Sequence, residues 1–75
     1  MLLTLYKTHR IEVEAREVAR GGFGISTLGV WRPYLDGSEV YSPLWIADAG
    51  TFKNAESAEA TGVQLAKLAI DDGTV

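Results

Sequence analysis

The chain contains no cysteine, which excludes a disulfide framework, a cysteine-ligated zinc finger, an iron–sulfur centre and a thiol nucleophile together. Histidine is nearly as scarce. His9 alone is too little for a multi-histidine metal site, and Ser26, Ser38, Ser42 and Ser57 stand at no spacing from it that suggests a Ser/His/Asp arrangement. Long apolar runs are missing too. Met1-Leu2-Leu3-Thr4-Leu5-Tyr6 turns polar at Lys7, shorter than the hydrophobic stretch of a signal peptide and with no basic segment ahead of it. Nothing approaches the ~20 residues that a membrane helix needs. The expectation is therefore a soluble, cytoplasmic protein without membrane partners.

The sequence also lacks a strong charge of one sign. Its net charge is −3, unevenly spread: residues 1–32 carry Lys7, Arg10, Arg16, Arg20 and Arg32 against Glu12, Glu14 and Glu17, while residues 33–75 are clearly acidic. Nucleic-acid binders draw most of their affinity from phosphate neutralisation, so this weak basic half disfavours that class without removing it.

What is present is the composition of one small globular domain spanning residues 1–75, with 47% hydrophobic and 23% charged residues. A chain this short buries roughly 60% of its extended surface on folding, which suffices for a core with little surplus. Residues 9–19 alternate, with Ile11, Val13 and Ala15 on one side and Arg10, Glu12, Glu14 and Arg16 on the other, the period of a half-buried strand. Leu2–Tyr6 either extends the same sheet or tucks across the core. Arg20-Gly21-Gly22 signals a hairpin, and a second strand runs from Phe23 to Arg32 until Pro33 removes a ladder donor. Gly24 and Gly29 within it suggest a bulge, strong coiling, or close approach by the helix that follows. After the Asp36-Gly37 turn, Glu39–Tyr41 and Leu44–Ala47 read as an edge strand broken by Pro43, with a loop over Asp48–Thr51.

Asn54 is placed to cap a helix from Ala55 to about Asp71, with Glu56 and Glu59 complementing its positive end. Ala55, Ala58, Gly62, Leu65, Ala66, Ala69 and Ile70 share its apolar face. Gly73 ends it, and Thr74-Val75 is expected to fray. These elements predict an α+β domain: a three-stranded antiparallel meander packed against one C-terminal helix, with one sheet face partly open.

No catalytic constellation assembles from these residues, so the chain reads as non-enzymatic, with no cofactor and no metal. Gly21-Gly22-Phe23-Gly24 joins two strands instead of opening a helix, unlike a phosphate-cradling loop. Glu12/Glu14 lie on an open strand face and Asp71/Asp72 at a helix end, where solvation is expected instead of general acid catalysis. The aromatic set is more informative. Trp31, Tyr34, Tyr41 and Trp45 fall within fifteen residues of one another around the second and third strands; with Arg10 and Arg16 of the first strand and Arg32 of the second they form the candidate interaction surface. Because the helix offers few large aliphatics, core volume argues that Trp31 and Trp45 pack beneath it. If they face solvent instead, the surface takes a protein partner or a second copy, or stacks nucleic-acid bases.

Tyr6, Ile11-Glu12-Val13-Glu14-Ala15-Arg16, the glycine-rich hairpin, Thr51-Phe52 and Asn54-Ala55-Glu56-Ser57-Ala58-Glu59-Ala60, with Gly62, Ala66 and Ile70-Asp71, form a pattern along nearly the whole chain. It resembles a family of small, mostly betaproteobacterial proteins that carry only a domain-of-unknown-function label. Members often have tryptophan just before the Ile-Asp pair, where Ala69 stands here. The resemblance implies a β-β-β-α unit and no established activity. Gly50-Thr51 and Glu56-Ser57-Ala58 are also similar to the segment that leads into the helix of HicB-like antitoxin domains. The proline-rich Gly-Cys loop of those domains is missing, so that likeness implies architecture alone.

Overall fold

The computed structural model describes residues 1–45 and 50–75. Its sheet has four strands, not three: β1 (Leu2–Tyr6), β2 (His9–Glu17), β3 (Phe23–Pro33) and β4 (Glu39–Pro43), antiparallel and in sequence order. One helix, α1 (Ala55–Asp71), packs on one face against β2 and β3. The expected α+β class, antiparallel sheet and C-terminal helix are present, and the strand count is corrected by one.

The added strand is β1, and a turn with no glycine, asparagine or aspartate explains why it is not announced. Tyr6 pairs with His9, leaving only Lys7-Thr8 in the turn. Lys7 adopts φ 55°, a left-handed conformation that glycine normally supplies. A tertiary contact offsets the local cost. Lys7 Nζ donates to Asp71 Oδ1 at 2.6 Å, and the Tyr6 hydroxyl lies 3.0 and 2.9 Å from the two carboxylate oxygens of the same residue. The last turn of α1 contains no basic residue, so Lys7 also brings a cation to its negative end.

Hydrogen bonds from Lys7 and then Tyr6 hold the Asp71 carboxyl below the usual carboxylate range, and the positive charges of Lys7 and Lys67 add to this. A depressed folded-state pKa contributes stability above the unfolded value, and the contribution disappears as pH falls through the folded one. Asp71→Asn should therefore lower the melting temperature at neutral pH, with the gap to wild type closing below about pH 4. Thermal melts of both proteins across that range check this, and a gap independent of pH would contradict it.

The two longer hairpin loops share one construction. In each, a five-residue connection is closed by a hydrogen bond from its first N–H to its last carbonyl (Val18 to Gly22, Tyr34 to Ser38). A second bond runs from the fourth N–H back to the first carbonyl (Gly21 to Val18, Gly37 to Tyr34). This is a type I turn followed by a left-handed residue, and Gly21 and Gly37 fill that position at φ 92° and 88°. Both turn signals in the sequence thus act as read. Pro33, expected just past the strand, is the last residue of β3 and pairs with Glu39.

β4 is an edge strand ending at Pro43, as expected. Leu44 extends the ladder by one bond from its N–H to the Leu28 carbonyl. The rest of the expected extension, Ile46-Ala47, and the start of the loop at Asp48-Ala49 lie outside the described residues. Phe52 then exchanges two backbone bonds of 2.8 Å with Phe23, which delivers the chain to the start of α1. Asn54 caps the helix, its side chain accepting from Ser57 N at 2.8 Å. At the other end Gly73, at φ 76°, donates to the Ile70 carbonyl and Thr74 to the Ala69 carbonyl, the paired bonds of a Schellman motif. This motif corrects the expectation of fraying, since Val75 packs against the core.

The core is aliphatic and tight. Ile11, Val13, Leu28 and Val30 from the sheet meet Ala66 and Ile70 of α1, and Leu2, Tyr6, Ile25, Leu44, Val63, Leu65 and Val75 pack around them. Ala58, Gly62, Ala66 and Ile70 form the buried stripe of the helix. A Cβ built on Gly62 would lie 2.8 Å from Val13 Cγ1, so absence of a side chain there sets how closely helix and sheet approach. That close seat leaves no room for indoles, which overturns the expectation that Trp31 and Trp45 pack beneath α1. Val30 and Leu28 point at the helix, Trp31 points the other way by strand alternation, and Trp45 is 91% exposed. The glycines of β3 also act differently from the expectation of helix approach. Gly24 faces the Val18 side chain and Gly29 lies under the Tyr41 ring, while the bulge falls at Ser26, whose hydroxyl donates to the Glu14 carbonyl.

Candidate interaction surface

The sheet face opposite α1 is built by the registers of three strands. Pairing of Ile11 with Val30 and of Val13 with Leu28 on the helix side forces Arg10 against Trp31, Glu12 against Gly29 and Glu14 against Thr27 on the outer side. The next ladder sets Trp31 against Tyr41 and Gly29 against Pro43. Arg10, Trp31 and Tyr41 therefore form a row straight across the sheet, with Leu5 continuing it onto β1 through its pairing with Arg10.

Each member of the row is held by its neighbours. The Arg10 guanidinium lies 5.3 Å from the centre of the Trp31 ring. Glu39 fixes it through two charged hydrogen bonds, Nε to Oε2 at 3.0 Å and NH2 to Oε1 at 2.7 Å. Trp31 and Tyr41 meet with centroids 4.9 Å apart and planes inclined by 50°. Tyr41 leans diagonally over Gly29, where a Cβ would overlap its hydroxyl, Cζ and Cε1. Desolvation, and after it the negative charge of the nearby Glu12 carboxylate, raises the Tyr41 phenol above its ordinary pKa. Arg16 is engaged as well, donating from Nε to Glu14 Oε1 at 3.0 Å.

The seven residues singled out by sequence do not form one cluster. Arg10, Arg16, Trp31 and Tyr41 share the open face, with Arg16 toward the far end of β2. Arg32 alternates to the other side of β3 and sits 5.6 Å from the ring of Tyr34, in the β3–β4 loop. Trp45 follows β4 and, with Leu44 and residues 25–28, lines a shallow pocket of about 160 Å³ that contains no ionisable group. A pocket of that size is below the range for small-molecule sites. Among the described residues no cluster of three or more His, Cys, Asp or Glu could hold a metal ion, and no helix is long and apolar enough to cross a membrane.

Three residues of the face escaped the sequence reading. Leu3 and Leu5 are 53% and 72% exposed, on the outer side of a strand whose other side carries Leu2, Thr4 and Tyr6. Leucine on both sides gives no periodic signal, so nothing in the sequence marks these two as outward. Glu39 is the third, since its contact with Arg10 depends on register across two hairpins. Counted together, the charges of the face are Arg10 and Arg16 against Glu12, Glu14 and Glu39, a slightly acidic balance. No protein-family model, curated protein or solved structure matches the chain.

Proposed function

We propose that this protein is a small non-enzymatic interaction module whose open sheet face, centred on Arg10, Trp31 and Tyr41, receives a protein partner. The observation that carries this reading is the pre-ordered Arg–Trp–Tyr row on a face with no covering layer among the described residues. Tryptophan, tyrosine and arginine dominate the energetics of protein interfaces, and fixing them before binding lowers the entropy that association costs. Leu3 and Leu5 widen the apolar part of the surface.

A second reading, nucleic-acid binding of the kind an antitoxin-like regulatory domain performs, draws on the same half-buried aromatic pair, because rings on the open face of a four-stranded sheet can stack bases. The electrostatics favour the protein partner. Both arginines of the face already bond glutamates, and the face has no surplus cation for phosphate.

Site-specific photo-crosslinking in the cells that make the protein tests the choice. A crosslinker at Arg16, on the open face, should capture a discrete protein, while one at Gln64, on the exposed side of α1, should not. Capture should be lost on Trp31→Ser. Equal capture from both positions would sink the reading. Amide-resolved titration with mixed oligonucleotides should leave Arg10, Trp31 and Tyr41 unmoved; shifts there that vanish with added salt would favour the second reading.

A further inference from the structure

We infer that the free edge of β1 pairs with β1 of a second copy, joining two sheets into one continuous sheet with four strands from each chain. The two edges of this sheet are not equivalent. β4 carries Glu39 at one end and Pro43, which has no N–H, at the other, both of which obstruct further pairing. β1 reads Leu-Leu-Thr-Leu-Tyr, five residues without proline, glycine or charge, and among the described residues only β2 pairs with it. Edges of this kind are normally blunted by charge or covered. The nearest flanking cation, Lys7, is drawn to Asp71.

The occupant is a second copy because the strand is self-complementary when reversed. With Thr4 on a two-fold axis, antiparallel pairing sets Leu3 against Leu5 of the partner subunit and Leu2 against Tyr6 of the partner subunit. Leu3 and Leu5, now exposed on the open face, then form a four-leucine cluster across the junction, burying apolar surface where each copy alone shows it to water. Five paired residues make a smaller contact than the ~1,600 Å² of a standard interface, which places this dimer among weak, reversible associations. The pairing extends beyond the open-face reading and leaves Arg10, Trp31 and Tyr41 uncovered, so the two stand or fall separately.

Sedimentation of the full chain from about 5 µM to about 1 mM should show a monomer–dimer equilibrium. Leu3→Lys with Leu5→Lys should weaken it at least tenfold, as should Leu3→Glu with Leu5→Glu, because each places like charges face to face. Mixing the two doubly substituted proteins should restore a dimer of one of each, which also shows that both are folded. Trp31→Ser should leave the equilibrium unchanged. A protein that stays monomeric at about 1 mM overturns the inference, as does a mixture that fails to pair, or association that Trp31→Ser abolishes and the charged pairs do not.

Discussion

Gly62→Val should cost about 3 kcal/mol, a large part of the total stability of a domain this size. The helix rests on the sheet at this residue: even a single Cβ would stand 2.8 Å from Val13 Cγ1, 3.3 Å from its Cγ2 and 3.5 Å from Ile25 Cδ1. Valine adds two further methyl groups in the same direction, and to admit them the helix must lift off the sheet and draw Ala58, Ala66 and Ile70 out of their packing. Alanine is the finer probe. It gains about 1 kcal/mol of helix propensity over glycine, against overpacking of about 1–3 kcal/mol, so its net effect is a modest loss. In a Val13→Ala background the clash is relieved and only the propensity remains. Gly62→Ala should then be neutral or stabilising, and the cycle should show a coupling of at least about 1 kcal/mol. Urea denaturation of the four proteins measures this, and additive costs would mean that the helix does not seat on Val13.

The same glycine shows how far the sequence could be read and where reading stopped. Helical periodicity placed Ala58, Gly62, Ala66 and Ile70 on one stripe, and the local signals of Asn54, Gly73, Gly21 and Gly37 marked boundaries that the structure keeps. These are short-range properties, written in the residues that carry them. The position of the tryptophans was not legible in that way. Volume argued for indoles in the core, yet small residues on the helix lower the volume to be filled, and β3 alternation turns Trp31 outward once Val30 is inside. β1 was ambiguous for a related reason. Its turn is stabilised by Asp71, sixty-four residues from Lys7, and no local signal encodes a contact at that distance. The candidate surface falls between these cases. Its aromatic and arginine composition was visible, whereas the Arg10–Glu39 and Trp31–Tyr41 contacts that order it follow from register.

Gly29→Ala should disorder that surface without touching the core, at a cost of about 1–2 kcal/mol. The new Cβ would occupy the space of the Tyr41 ring, which lies on the open face and is free to swing outward. Its departure ends the contact with Trp31 and carries the phenol away from the Glu12 carboxylate, and the gain in strand propensity over glycine offsets only part of that loss. Alkaline titration of the phenols followed in the ultraviolet gives a readout that general destabilisation does not mimic. In the wild type both Tyr6 and Tyr41 ionise above the ordinary range. In the variant the Tyr41 phenol should return toward about 10, while Tyr6, still bonded to Asp71, should not move. A phenol raised in the folded state adds stability below about pH 10 that is lost as pH climbs through the folded value, so the wild type should lose stability over that interval faster than Tyr41→Phe. Unchanged phenol titration in Gly29→Ala would show that the ring does not rest on the glycine. If the ring does rest there, the variant separates order from composition: every side chain proposed for binding remains, and loss of partner capture would then report that the Arg–Trp–Tyr row binds because it is held in place.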